Sequence, residues 1–376
     1  MLKFTGSECF RQRLVCSTLT GRPIRIDQIR SKDEDPGLRD FEACLLRLTE
    51  KISDGCVVQI NQTGTCLRYR PGFVLGGSNL VHNCGTSRSI GYFLEPLVLL
   101  AIFGKKPLSI TLQGITNDDT DQGIDTWRTV TLPLIRKLCG IEDGLELQIV
   151  KRGARPGGGG EVRLRVPVVR EVPSIKWTDE GMVKRIRGVA YSTKVSPQNT
   201  NRMVDGARGI LNRLLADVYI FTDAVSGKQS GNSPGYGINL VAETTSGCYV
   251  SSEACASYRQ GQGKGPSALQ GQVAEEVLVV PEDIGKHAAA ALLEEVHRGG
   301  VVDGCHQALL ILLCALGPEL INEVRLGPLT PYAVQMLRHV KDFFGITFSI
   351  RPENDHGTIF MSCVGVGVKN LGRRAT

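Results

Sequence analysis

Two of the six histidines stand among groups that could share chemistry with an imidazole. Arg338, His339 and Lys341 combine a general base with cations able to stabilise a phosphate, the residue types of metal-independent RNA cleavage. Helical geometry weakens that combination, because Arg338 and Lys341 share a side of a helix better than either shares it with His339. An exposed charged face that docks a partner is the preferred reading of the two cations. His306 follows Asp303 in RGGVVDGCHQALL, where the aspartate is placed to cap a helix carrying His306 and Gln307. With no carboxylate or cysteine pattern beside it, His306 reads as a half-buried polar residue.

The run RGARPGGGGEVRLRV sets its glycines before a strand, whereas a phosphate cradle sets them after one, at the opening of a helix. A tight turn where backbones approach closely is the favoured reading. The chain has no HxH or HExxH pattern, so neither a metal site nor a cofactor is expected. Its 12 cysteines are scattered without a CxxC pair, and Cys44, Cys314 and Cys363 sit in apolar runs, as buried reduced thiols do. Runs such as 96–103 and 308–316 are too short to cross a bilayer, so no membrane partner is expected. The start MLKFTGSECFRQRLV meets charges too early for a signal peptide, which implies a compartment open to the cytosol. A net charge of +6 is concentrated in clusters, among them Lys184, Arg185 and Arg187, which suit a phosphate backbone or an acidic partner and equally a solvated face. Aromatic content of 6% offers no evident base-stacking platform.

The elements that must position these residues repeat. A turn, an amphipathic helix, a glycine-marked turn and two β-rich runs recur three times, the last beginning in RLGPLTPYAVQMLRHVKDFF. Phe41, Leu45, Leu48 and Ile52 fall on one helical face, and so do Val334, Leu337, Val340 and Phe344. Pro133 must kink or interrupt the middle helix. Residues 184–280 change pattern and read as a small α/β domain between the second and third repeats, with loops GKQSGNSPGYG and GQGKGPSALQGQ. The expected organisation is one large domain, residues 1–183 and 281–376, carrying an insert at 184–280.

Taken together, PGLRDFEACLLRL, RGARPGGGGEV, VAETTSGCYVSSE, RGGVVDGCHQALL and LGPLTPYAVQMLRHVKDFFG resemble the RNA 3′-terminal phosphate cyclase family, in particular its eukaryotic cyclase-like branch. That resemblance implies an α/β (α+β) fold of three βαβαββ repeats similar to the C-terminal domain of translation initiation factor three, with a small inserted α/β domain. Cyclases of the family adenylate a histidine that lies three residues before a threonine. Here the threonine is Thr330, and Gly327 takes the place of the nucleophile. Phe4 stands where the nucleotide-contacting loop has an acid and Glu8 where it has a glutamine; Ala308 and Leu309 replace an Asp-Gln pair. Glycine cannot form a phosphoramide, so adenylation at this position is chemically impossible.

The cyclase-like branch implies a non-catalytic factor of the nucleus and nucleolus that serves the small-subunit processome and early pre-ribosomal RNA cleavage. Its expected partners are a large ribosome-biogenesis GTPase, other processome components and pre-ribosomal RNA itself. Arg338 and Lys341 are the candidate partner-binding residues; Lys184, Arg185 and Arg187 are the candidate RNA contacts; Arg11 and Arg13 are candidates to hold an anion in a vestigial pocket. The alternative expectation is a site-specific endonuclease built on Arg338, His339 and Lys341.

Overall fold

The structure, a computed structural model, describes residues 1–256, 280–353 and 357–370. Three four-stranded sheets share one topology. In the first, β1 (Leu2–Thr5) runs parallel to β2 (Ile24–Asp27), which pairs antiparallel with β4 (Leu67–Arg70), itself antiparallel to β3 (Val57–Ile60). Helices α1 (Phe10–Thr20) and α2 (Asp40–Ile52) complete the first βαβαββ unit. The second contains β5 (Gly77–Asn83), α3 (Ile90–Ala101), β6 (Leu108–Gly114), α4 (Leu132–Cys139), β7 (Glu146–Lys151) and β8 (Gly160–Val166), in sheet order β5-β6-β8-β7.

Period-two burial explains why these strands pack on one side only. Leu2, Phe4, Ile24, Ile26, Leu67 and Tyr69 face the helices and join the main core, while Lys3, Thr5, Arg68 and Arg70 alternate outward into solvent. Pro133 interrupts its helix as expected. The chain adopts a π-helical turn at Trp127–Thr131, after which Pro133 falls in the first turn of α4, where its missing N–H costs nothing.

The third unit differs from the sequence expectation. Its first strand is β9 (Lys176–Trp177), so the small domain is inserted inside the third repeat, directly after that strand. A two-residue strand leaves almost no periodic signal, which is why the boundary is hidden in the sequence. The insert holds β10 (Val183–Thr193), α5 (Gln198–Leu211), β11 (Val218–Val225), β12 (Gly235–Thr244) and β13 (Tyr249–Cys255), in sheet order β11-β10-β12-β13. Helix α6 (Pro281–Arg298) packs with them, because Ile284, Ala288, Ala289 and Leu292 join the insert's own core. That core therefore extends beyond residue 280, the limit expected from sequence. The loop GQGKGPSALQGQ lies outside the described residues. The third repeat resumes with α7 (Gln307–Leu316), β14 (Ile321–Leu326), α8 (Pro331–Phe344), β15 (Ser349–Pro352) and β16 (Ile359–Val364).

Candidate functional site

The loop Gly327–Thr330 leads from β14 into α8 and is held on two sides. Thr330 caps α8 by accepting a hydrogen bond from Ala333 N at 3.2 Å, and its own N–H donates to Gln307 Oε1 at 2.9 Å. Gln307 Nε2 donates in turn to the Pro328 carbonyl at 3.0 Å. Gly327 itself has no room for a side chain: a β-carbon there would meet the carbonyl oxygens of Gly299 at 2.7 Å and Arg298 at 2.9 Å. The approach follows from a bridge between Gly300 and Leu326 that presses the Gly299-Gly300 turn onto the end of β14.

Beyond this loop opens a cleft of about 950 Å³ between the repeats and the insert, lined in part by Arg11, Leu309, Thr330 and Tyr332. Its walls are rich in carboxylates: Glu95, Asp118, Asp119, Asp121, Glu253 and Glu295. Four of the six are paired with arginines: Glu95 with Arg11, Asp118 with Arg155, Asp121 with Arg88 and Glu295 with Arg298. Arg11, expected to hold an anion, is already engaged by Glu95 at 3.0 Å and lies 4.5 Å over the Tyr92 ring. Tyr332 donates its hydroxyl proton to the same Glu95 at 2.8 Å. Arg13 is absent from this lining. It is buried, donates to the Gly6 carbonyl at 2.7 Å and covers the Phe4 ring at 4.9 Å. Both guanidinium groups, the candidates to hold an anion, are thus engaged within the chain, Arg11 at the cleft and Arg13 away from it. Glu8 is exposed, Ala308 is buried, and Leu309 presents alkyl surface to the cleft.

Phe4 packs against α8. Its ring stacks on Phe343 at 5.7 Å and meets the edge of His339 at 5.6 Å. His339 is accordingly buried, both ring nitrogens lack a hydrogen-bond partner, and burial together with Arg13 and Arg338 lowers its pKa to about 4. Arg338 and Lys341 are exposed on the opposite side of α8. The expected apolar face of that helix is displaced by one position: the buried set is Ala333, Met336, His339, Val340 and Phe343. Arg338, His339 and Lys341 therefore do not converge, which corrects the nuclease constellation.

His306 is fully buried, and it does have a carboxylate. Asp303 Oδ1 accepts from His306 Nδ1 at 2.5 Å, and His306 Nε2 shares a 2.8 Å hydrogen bond with the Thr131 hydroxyl. Asp303 Oδ2 accepts from the Ser251 hydroxyl at 2.6 Å, tying the insert to the same chain. Burial alone would raise Asp303; His306 and Ser251 outweigh it and hold the carboxylate below its ordinary range. Asp303, His306 and Thr131 have the order of a relay that activates a hydroxyl, yet all three are buried and mutually satisfied, so they act as a structural bridge. The three-residue spacing of Asp303 and His306 was the available signal; Thr131, 175 residues away, gave none.

A second bridge is Arg152, buried and bidentate to Asp125 at 2.7 and 2.9 Å, with its Nε on Asp223 of the insert at 2.8 Å. Glu253 on β13 accepts from Gly123 N at 2.8 Å and from the Thr126 hydroxyl at 2.7 Å. Burial raises this carboxyl to about 7. The glycine run is a close-approach turn as expected, since a β-carbon on Gly153 would lie 2.3 Å from Gly160 N. In the candidate RNA patch, Lys184 and Arg185 both pair with Glu243, at 2.7 and 2.6 Å, and Arg187 pairs with Asp217 at 2.7 Å. Among the described residues no group of three or more His, Cys, Asp or Glu could hold a metal ion, and no helix is long and apolar enough to cross a membrane. Cys314 and Cys363 are buried as expected, whereas Cys44 is half-buried and Cys305 exposed.

Three matched βαβαββ units around a cleft, with a small domain in the third, define the class, and residues 2–350 match the RNA 3′-terminal phosphate cyclase family, to which this chain belongs. Within it, the chain is similar to proteins named cyclase-like. It is 51% identical over 373 residues to a probable RNA 3′-terminal phosphate cyclase-like protein of Dictyostelium discoideum, covering 99% of each chain. It is 48% identical over 378 residues to the human RNA 3′-terminal phosphate cyclase-like protein, covering 99% of this chain and 97% of the other. A Schizosaccharomyces pombe rRNA processing protein is 43% identical over 375 residues, covering 99% and 98%.

Proposed function

We propose that this chain is a cyclase-dead factor of pre-ribosomal RNA processing, acting in the nucleolus within the small-subunit processome by docking a large GTPase and pre-ribosomal RNA. The observation that carries the reading is Gly327, a position with neither a nucleophile nor room for one. The engagement of Arg11 and Arg13 in internal contacts supports it, because a nucleotide-activating centre needs free cations where phosphate charge develops. Similarity to a relative named as an rRNA processing protein supports the pathway.

Arg338 and Lys341 suit partner docking. Both are exposed on α8, and among the described residues neither has an ion pair. The nuclease reading loses its base, because His339 faces the core and resists protonation.

Two assays test the proposal. Incubation with labelled ATP leaves no covalent adenylate, and RNA ending in a 3′-phosphate is not cyclised; either product would sink the non-catalytic reading. The R338E/K341E chain loses capture of the GTPase while unfolding at the same temperature as the parent. Undiminished capture would remove this face from the docking site.

A further inference from the structure

The three cations picked out on the insert are all engaged by Glu243 and Asp217, which leaves one net positive charge there, so a wider free positive surface must be sought elsewhere. The outward faces of the three sister sheets provide an internal comparison. On the second, Arg163 lies 3.9 Å from Glu161 and Arg165 lies 3.8 Å from Glu146. On the third, Lys176 stands opposite Glu323, and Arg325 pairs with Glu353 at 3.0 Å. The first sheet breaks the pattern. Lys3 is opposite Arg25, and Arg25 is opposite Arg68, so three cations form one row across β1, β2 and β4. Arg70 follows on the same face two residues beyond Arg68.

Like charges directly opposite one another cost stability in a sheet. Asp27, the acid of the next row, is taken by Arg25 at 2.8 Å. Lys3, Arg68 and Arg70 are exposed and have no ion pair or side-chain hydrogen bond among the described residues. Folding gains nothing from their arrangement, so a ligand's negative charge is what would stabilise it.

We infer that the outer face of the first sheet, centred on Lys3, Arg25, Arg68 and Arg70, binds the phosphate backbone of RNA. With a strand spacing of about 4.8 Å the row spans about 10 Å, a flat cationic strip. Gln59 ends the row and Thr5 borders it, adding polar groups. No aromatic side chain projects from these strands on this face, so the contact reads phosphate charge and not base identity. An acidic peptide is the less suitable occupant, because the face has no cleft to seat its side chains. The inference rests on the RNA-docking part of the proposed function and assigns it a surface.

The test is fluorescence anisotropy of a labelled single-stranded oligoribonucleotide with the full chain at several salt concentrations. K3E/R68E/R70E is expected to bind about tenfold or more weakly, with a salt slope lower by about 2, since each neutralised phosphate contributes about 0.7 on single strands. K184Q/R185Q/R187Q is expected to bind like the parent. Should the reversed variant misfold, R68Q/R70Q carries the same expectation with a smaller change. An affinity and slope equal to the parent's would overturn the surface assignment while leaving RNA docking intact. A parent chain that binds no RNA, or binds polyglutamate equally well, would overturn both the assignment and RNA docking, and would not touch GTPase capture.

Discussion

Gly327 and Gly299 approach so closely that a β-carbon on Gly327 would stand 2.7 Å from the Gly299 carbonyl oxygen. Real β-carbon contacts are longer, and the obstacle is backbone, which cannot swing aside as a side chain can. The position is therefore closed to any side chain. Gly327→His is expected to lower stability by about 1–3 kcal/mol, the usual cost of overpacking, and to yield no adenylate with labelled ATP. Denaturant unfolding measures the first; a stable, adenylated variant would contradict both.

His339 should make the chain acid-sensitive. Burial, with Arg13 and Arg338 nearby, lowers its pKa from 6.5 to about 4, so as pH falls the unfolded chain takes up the proton first. The stability this neutral ring contributes is present above pH 6.5 and is lost by about 2–3 kcal/mol toward pH 4. His339→Leu, which also removes two unpaired ring nitrogens, is expected to match or exceed the parent at neutral pH and to lose less in acid. Parallel stability curves for the two chains between those pH values would disprove it.

Glu253 carries the opposite dependence. Its carboxyl, raised by burial from 4.5 to about 7, holds its proton longer in the folded chain. Stability is then present below pH 4.5 and lost as pH rises through 7, by about 2 kcal/mol once contact with cleft solvent is allowed for. Glu253→Gln should flatten this slope while keeping an acceptor for Gly123 or Thr126. Thermal unfolding of both chains from pH 5 to 8 measures it.

Arg152 fixes the insert against the second repeat. Arg152→Met leaves the fully buried Asp125 with only the longer contacts of Arg128 at 3.4 Å and Asn117 at 3.3 Å and is expected to cost about 3 kcal/mol. Adding Asp125→Asn should recover part of the loss. Separate unfolding transitions for insert and repeats in the single variant would show that this residue couples them; a cost below about 1 kcal/mol would show that it does not.

Much of the scaffold was legible because local chemistry set it. Thr330 and Pro331 start α8 as cap and first-turn proline whatever surrounds them, and Pro133 breaks its helix for want of an N–H. The face of α8 was misjudged by one position, since Val334 and Leu337 satisfy helical spacing as well as Ala333 and Met336 do; the tertiary neighbours, Phe4 among them, select the side that carries His339 inward. The insert's place was misjudged for a similar reason. Two residues, Lys176 and Trp177, become a strand only through pairing with β14.

The sequence by itself determined the three-unit plan and the absence of a nucleophile at Gly327, because helix caps, strand alternation and the presence or absence of an imidazole are properties of residues and their near neighbours. Tertiary structure alone decided which charges remain available. Lys184, Arg185 and Arg187 form a basic run in the sequence, yet folding brings Glu243 and Asp217 to them and engages all three. Lys3, Arg25 and Arg68 are far apart in the chain, and strand register sets them in one row. Electrostatic interaction depends on distance through space, which the order of residues does not contain.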